Sequence, residues 1–305
     1  MFKTTGRVKK KIETCINMDK QLLAVAGAVL AVTAIVVLGT TSAENIDFNP
    51  QKGEAVIVPL SGTISPEASS GLGSATGITP KSVRNLNERA MSENPDAIIY
   101  EINSGGGAVV ASKEVKREIE SVNTTTVCRF RDLSASGGYL IALGCDEVVA
   151  DSATLTGSIG VRSSYLQFSG LLERYGVKYV NISSGEYKEI GSPYSNITEE
   201  EKDVLTSKVE AIREEFLNTV VENRNLSEPQ IEEVGTGEPI LGERAKRLGL
   251  VDELGGRATA VQVAENLTEK QLSTEVLETG PSFSLGSLFF GSLGMENQAP
   301  LRAEY

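Results

Sequence analysis

Short apolar runs alternate with amphipathic stretches along most of the chain. Residues 55–60 (AVIVPL), 97–102 (AIIYEI) and 124–130 (TTTVCRF) read as strands, as do the shorter 147–150 (EVVA) and 178–182 (KYVNI). Helical patterns lie between them. One starts at Thr79-Pro80 and runs toward Ser92, one covers 108–122 with Val109, Val115 and Ile119 on one side, and one opens at Gly137 and reaches Leu143. Thr198, with Glu201 three residues on, forms a capping box. After it, Leu205, Val209, Ile212, Phe216 and Val220 recur at helical spacing, a stripe for core or subunit packing. Strands separated by helices predict an α/β fold. No internal repeat interrupts residues 54–280, which therefore read as one domain.

Residues 22–39 (LLAVAGAVLAVTAIVVLG) carry no charge. As a helix they span about 27 Å, enough for a bilayer crossing. Lys3, Arg7, Lys9, Lys10, Lys11 and Lys20 precede them, whereas Glu44 and Asp47 come before the next basic residue, Lys52. The positive-inside rule then puts residues 1–21 in the cytoplasm, a transmembrane signal anchor at 22–40, and the remainder outside the cell membrane. A cleaved signal peptide ending near Thr41-Ser42-Ala43 is the competing reading. Residues 41–53 read as a polar linker, and 281–305 as a tail rich in Ser, Gly, Phe and Leu, flexible or docked on a groove.

Composition narrows the chemistry. The net charge of −12 argues against a nucleic-acid partner, whose phosphates are bound by Lys and Arg. The chain has no histidine, so imidazole is excluded both as a general base and as a zinc ligand. No metal-ligand spacing appears, and no metal or cofactor is expected. Cys128 and Cys145 sit in apolar runs and read as small buried hydrophobes, with a disulfide left open.

Four motifs remain for catalysis. Asn103-Ser104-Gly105-Gly106-Gly107 lies between a strand and a helix, where backbone N–H groups approach an anion closely. Ser136-Gly137-Gly138 is a second strand-to-helix turn, with its hydroxyl exposed by small neighbours. Leu155-Thr156-Gly157-Ser158-Ile159-Gly160 and Gly185-Glu186-Tyr187-Lys188-Glu189 follow. Without histidine, a nucleophilic serine needs a carboxylate or a lysine as its base.

In order and spacing these motifs resemble those of the signal peptide peptidases of the SppA type (peptidase family S49), Ser/Lys proteases of the Clp/crotonase fold. The matching segments are Ala135–Tyr139, Leu155–Val161, Tyr187–Pro193 and the late Gly249-Leu250-Val251-Asp252. Gly105 departs from the family pattern, which usually has proline there. The resemblance implies repeated ββα units and a membrane-anchored serine endopeptidase acting on remnant signal peptides or other unfolded peptides. It implies Ser136 as nucleophile, Lys188 as general base, Ser158 as the residue orienting Lys188, Gly107 and Gly137 as oxyanion donors, and Gly106 as support for the turn. It also implies a homo-oligomer with active sites at subunit boundaries. A free lysine titrates near 10.4, so a lysine base has to be desolvated, with Glu186 and Glu189 turned away. The rival readings are a leader peptidase, a crotonase-fold thioester enzyme and a catalytically silent membrane scaffold.

Overall fold

The computed structural model describes residues 51–67 and 77–277. The expected membrane anchor at 22–40 and the tail from 281 lie outside the described residues. Among the described residues, no helix is long and apolar enough to cross a membrane.

The fold is mixed α/β. Strands β1 (Gln51–Ser61), β2 (Ala97–Ser104) and β3 (Thr125–Ala135) form the parallel centre of a sheet. Between them run helices α1 (Pro80–Ser92) and α2 (Val109–Glu120), and α3 (Gly137–Ala142) follows β3 directly. Later come β4 (Glu147–Ala150), β5 (Leu155–Gly157), α4 (Ser169–Arg174), α5 (Glu199–Asn223) and α6 (Glu228–Val234). The chain closes with β6 (Pro239–Leu241), α7 (Gly242–Arg247), β7 (Glu253–Leu254), α8 (Arg257–Thr268) and β8 (Lys270–Val276). Strand order is β6-β5-β3-β2-β1-β8, with β4 branching from β3 and β7 pairing with β4; among the described residues only the β5–β6 pair is antiparallel.

The central strands are apolar throughout because both faces are covered. Alternate residues serve opposite layers. Val56, Val58, Leu60, Ile98, Tyr100 and Ile102 join the core under α1, α2 and α3. Ala55, Ile57, Ala97 and Ile99 face Ala260 and Ala264 of α8. Glu101 shares that second face and is only 2% exposed. Both of its oxygens accept from Arg257 at 2.8 Å, and Arg129 donates at 3.3 Å. The Arg257 guanidinium holds the Glu101 carboxyl below the usual range against the opposing effect of burial.

The expected helix starts are present. Thr79 Oγ1 accepts from the Ser82 N–H, and Ser82 Oγ accepts from the Thr79 N–H. Thr198 and Glu201 make the same exchange at α5. Of the α5 apolar stripe only Phe216 and Val220 are buried, so its N-terminal half has no core to pack on. Strand β1 begins at Gln51, within the stretch read as linker. Residues 178–182 form no strand; Val180 is 75% and Ile182 95% exposed, and among the described residues no neighbouring strand offers them a ladder. Cys128 and Cys145 form a disulfide with Cα atoms 5.7 Å apart, so they are more than packed hydrophobes.

Candidate active site

Ser136 is the single residue between β3 and α3, with φ 54° and ψ −124°. Such a backbone costs a non-glycine residue about 1–3 kcal/mol and persists only where its surroundings impose it. Here the Ser136 N–H donates to the Gly157 carbonyl at 2.8 Å, and its carbonyl accepts from Tyr139 and Leu140. Thr156 Oγ1 donates to the Ser134 carbonyl at 2.6 Å, and Ser134 Oγ to the Gly138 carbonyl at 3.1 Å. All six α3 residues are buried, which anchors the turn from below.

The glycine turn after β2 lies against this one. Gly106 has φ +90°, and a Cβ on it would sit 2.6 Å from the Gly137 nitrogen. A Cβ on Gly107 would sit 1.9 Å from the Ile64 carbonyl oxygen. The Gly106 N–H is already used, donating to Ser104 Oγ at 3.1 Å. Among the described residues, neither the Gly107 N–H nor the Gly137 N–H has an acceptor.

Two hollows meet at Ser136. An apolar recess of about 30 Å³, room for a single small group, is walled by Val109, Leu140, Val161, Ile212 and Phe216. A polar cleft of about 790 Å³ extends the other way, past Gly107 and Ser158 to Arg162, Arg213 and Thr236. Ser158 has φ +51°, and its N–H donates to the Glu238 carbonyl at 3.1 Å. The structure thus gathers Ser136, Gly106, Gly107, Gly137 and Ser158 around one opening.

It does not bring Lys188 there. Lys188 is exposed and lines neither hollow of its own chain, so the expected desolvation is not met within one chain. The reason is the path of residues 162–197, which leave the sheet as an arm. The arm is pinned at its stem, where the Phe168 N–H meets the Pro193 carbonyl at 2.6 Å, and Gln167 and Ser169 both donate to Asn196 Oδ1 at 2.7 Å. Glu189 accepts from the Tyr179 hydroxyl, and Glu186 is exposed.

Sequence reasoning missed Lys113, which borders the apolar recess with Ser136 and pairs with Glu215 of α5. It also missed the strut behind α3. The buried Tyr139 hydroxyl donates to the Leu250 carbonyl at 2.9 Å, and burial pushes its phenol upward. Arg224 bonds both Asp252 oxygens at 2.8 and 2.7 Å. Burial, then the Asp252 charge, raises Glu147 alongside. No local pattern announces partners so far apart in sequence.

The sequence model of peptidase family S49 matches residues 123–271. That segment is similar to peptidase family S49. The match contains Ser136, Ser158, Lys188 and Asp252, but not the glycine turn at 105–107, which reaches the site only through the sheet. A Methanocaldococcus jannaschii protein is 32% identical over 64% of this chain and 63% of its own length. The Arabidopsis thaliana protein named "Serine protease SPPA, chloroplastic" is 31% identical over 66% of this chain and 30% of its own. The chain thus spans less than two thirds of each relative. A solved structure of 1510-N, a membrane-bound stomatin-specific protease, has a TM-score of 0.49 at 15% identity over 76% of this chain and 99% of that one.

Proposed function

We propose that the protein is a serine endopeptidase of the SppA type, on a Clp/crotonase-like fold, in which Ser136 attacks the peptide carbonyl. The observation that carries this reading is the strained Ser136 turn beside two unoccupied N–H groups, those of Gly107 and Gly137. Donors fixed in place before reaction stabilise a developing oxyanion without reorganisation. In the chemistry, Ser136 Oγ loses its proton to a neutral lysine as it bonds to carbon; the lysine then returns that proton to the leaving amine. Water deacylates the ester by the reverse roles.

Lys188 is that lysine, supplied by a neighbouring copy of the chain, with Ser158 accepting from its amine. The exposed arm supports this. Leu166, Tyr175, Val180 and Ile182 are all at least 72% exposed, an apolar surface that a second subunit would cover. Docking would also desolvate Lys188, the condition for its acting as a base. Closed cyclic assembly gives every subunit such a neighbour. Residues 22–40 anchor the protein in the cell membrane with the peptidase domain on the outer side. Remnant signal peptides are the fitting substrate, being apolar enough for the recess beside Ser136.

Co-expression tests the shared site. Ser136→Ala and Lys188→Ala chains, each inactive alone, should regain about a quarter of wild-type activity in randomly mixed oligomers, one junction in four carrying both intact groups. Mixed oligomers verified by two affinity tags, yet without activity, would leave each subunit to build its own site.

A further inference from the structure

The polar cleft has an unbalanced charge. Arg162 and Arg213 both line it, together with Ser136 and Ser158. Neither makes an ion pair among the described residues, although acidic groups lie close by in sequence. Glu233 and Glu238, on either side of the Thr236-Gly237 turn, are both taken by Arg244, at 2.8 and 3.0 Å. Glu215, two residues beyond Arg213, is taken by Lys113. Arg213 is not loose: its guanidinium donates through Nε (3.2 Å) and Nη2 to the carbonyl of Gly235, a neutral acceptor. Among the described residues it is therefore held with its charge uncompensated and N–H groups to spare. Helix α5 sets the division, since Ile212 and Phe216 face the apolar recess while Arg213 faces the cleft.

In a chain of net charge −12, two uncompensated guanidiniums in a concave wall make a local positive field. A guanidinium recognises a carboxylate through directed, charge-assisted hydrogen bonds. We propose that the Arg162–Arg213 wall selects peptides carrying a carboxylate close to the bond presented to Ser136. The preferred substrate then combines a small apolar residue, seated in the recess, with an acidic side chain or a free C-terminal carboxylate in the cleft. The inference rests on reading Ser136 as the nucleophile only for which bond is cut; binding of the carboxylate is a separate matter.

The test uses binding, so that it does not depend on turnover. The full-length Ser136→Ala protein in detergent is titrated against fluorescein-labelled alanine–leucine decapeptides with one central glutamate or glutamine, each with a free or an amidated C terminus. The peptide with a carboxylate in reach should bind about tenfold more tightly than its neutral twin. Adding Arg213→Gln should erase most of that preference, and added salt should weaken it. Arg162 is exposed and makes no hydrogen bond among the described residues, so Arg162→Gln serves as the second variant should Arg213→Gln unfold. A preference that follows the side chain or the C terminus tells which carboxylate is read. Equal binding of all four peptides overturns the proposal, as does a preference that survives both substitutions. So does an Arg213→Gln effect confined to loss of assembly by size-exclusion chromatography, which would make the wall a seat for a neighbouring subunit. If the wild type cleaves none of the peptides while the arginine-dependent preference holds, the catalytic reading falls and the carboxylate site stands.

Discussion

The Ser136 N–H donates to the Gly157 carbonyl at 2.8 Å, so the strained turn hangs from the residue immediately before Ser158. Two of the residues proposed for catalysis are thereby held in register by one backbone hydrogen bond from the turn after β3 to the end of β5. Lys188 has no such tie to either.

Ser136→Ala and Lys188→Ala should each lower peptide cleavage by about a thousandfold or more while leaving the melting temperature unchanged. Lys178→Ala should stay active. Because Lys113 borders the recess with Ser136, Lys113→Ala decides whether the base comes from the same helix layer. Loss of activity in Lys113→Ala with retention in Lys188→Ala would reassign the base. The wild-type rate should rise from neutral to alkaline pH, since a lysine must lose its proton to act.

Gly107→Ala and Gly105→Ala should differ sharply. A Cβ at 107 meets the Ile64 backbone at 1.9 Å, whereas one at 105 meets only the end of the Leu133 side chain at 3.3 Å. Overpacking against backbone should cost Gly107→Ala about 2–3 kcal/mol in chemical denaturation, along with its activity. Gly105→Ala should retain both. Equal stability of the two variants would mean that the turn is looser than its geometry.

Glu101→Gln should destabilise the domain by about 3 kcal/mol, because it leaves Arg257 and Arg129 around a neutral, buried amide. The wild-type pH dependence has a definite sign. The folded-state pKa of Glu101 is lowered, so its contribution is complete above the ordinary glutamate range and is lost as pH falls through the folded value. Urea midpoints of wild type and Glu101→Gln should therefore converge in acid. A constant gap across that range would show that Arg257 does not hold the carboxylate.

The Cys128–Cys145 bridge closes the loop that carries Ser136, with a separation of 17 residues. The paired substitution Cys128→Ala with Cys145→Ala should cost about 2–3 kcal/mol, mainly through the freer unfolded chain. Thiol titration of denatured wild-type protein should find only Cys15 without reduction. Three free thiols would exclude the bridge.

What could be read from the chain alone was what each segment satisfies by itself. Thr79-Pro80 and the Thr198–Glu201 box cap their helices with side chains three residues away. The buried strands announce themselves as apolar runs, and Ser136-Gly137-Gly138 marks a strand-to-helix turn. Tertiary structure decided whatever needed a distant partner. A helix closes its hydrogen bonds internally, but a strand depends on a neighbour. Thus β8 exists because Gln51 pairs with Lys270, while residues 178–182, as apolar as a strand, have nothing to pair with among the described residues. The same reason separates the site's parts. The Gly105–Gly107 turn reaches Ser136 because β2 and β3 are adjacent and parallel, and Arg213 reaches the cleft because Phe216 and Val220 seat α5 on the core. Lys188 lies on a largely exposed arm whose contacts are mostly its own, such as the Tyr179–Tyr194 ring pair, so no packing within one chain carries it to Ser136.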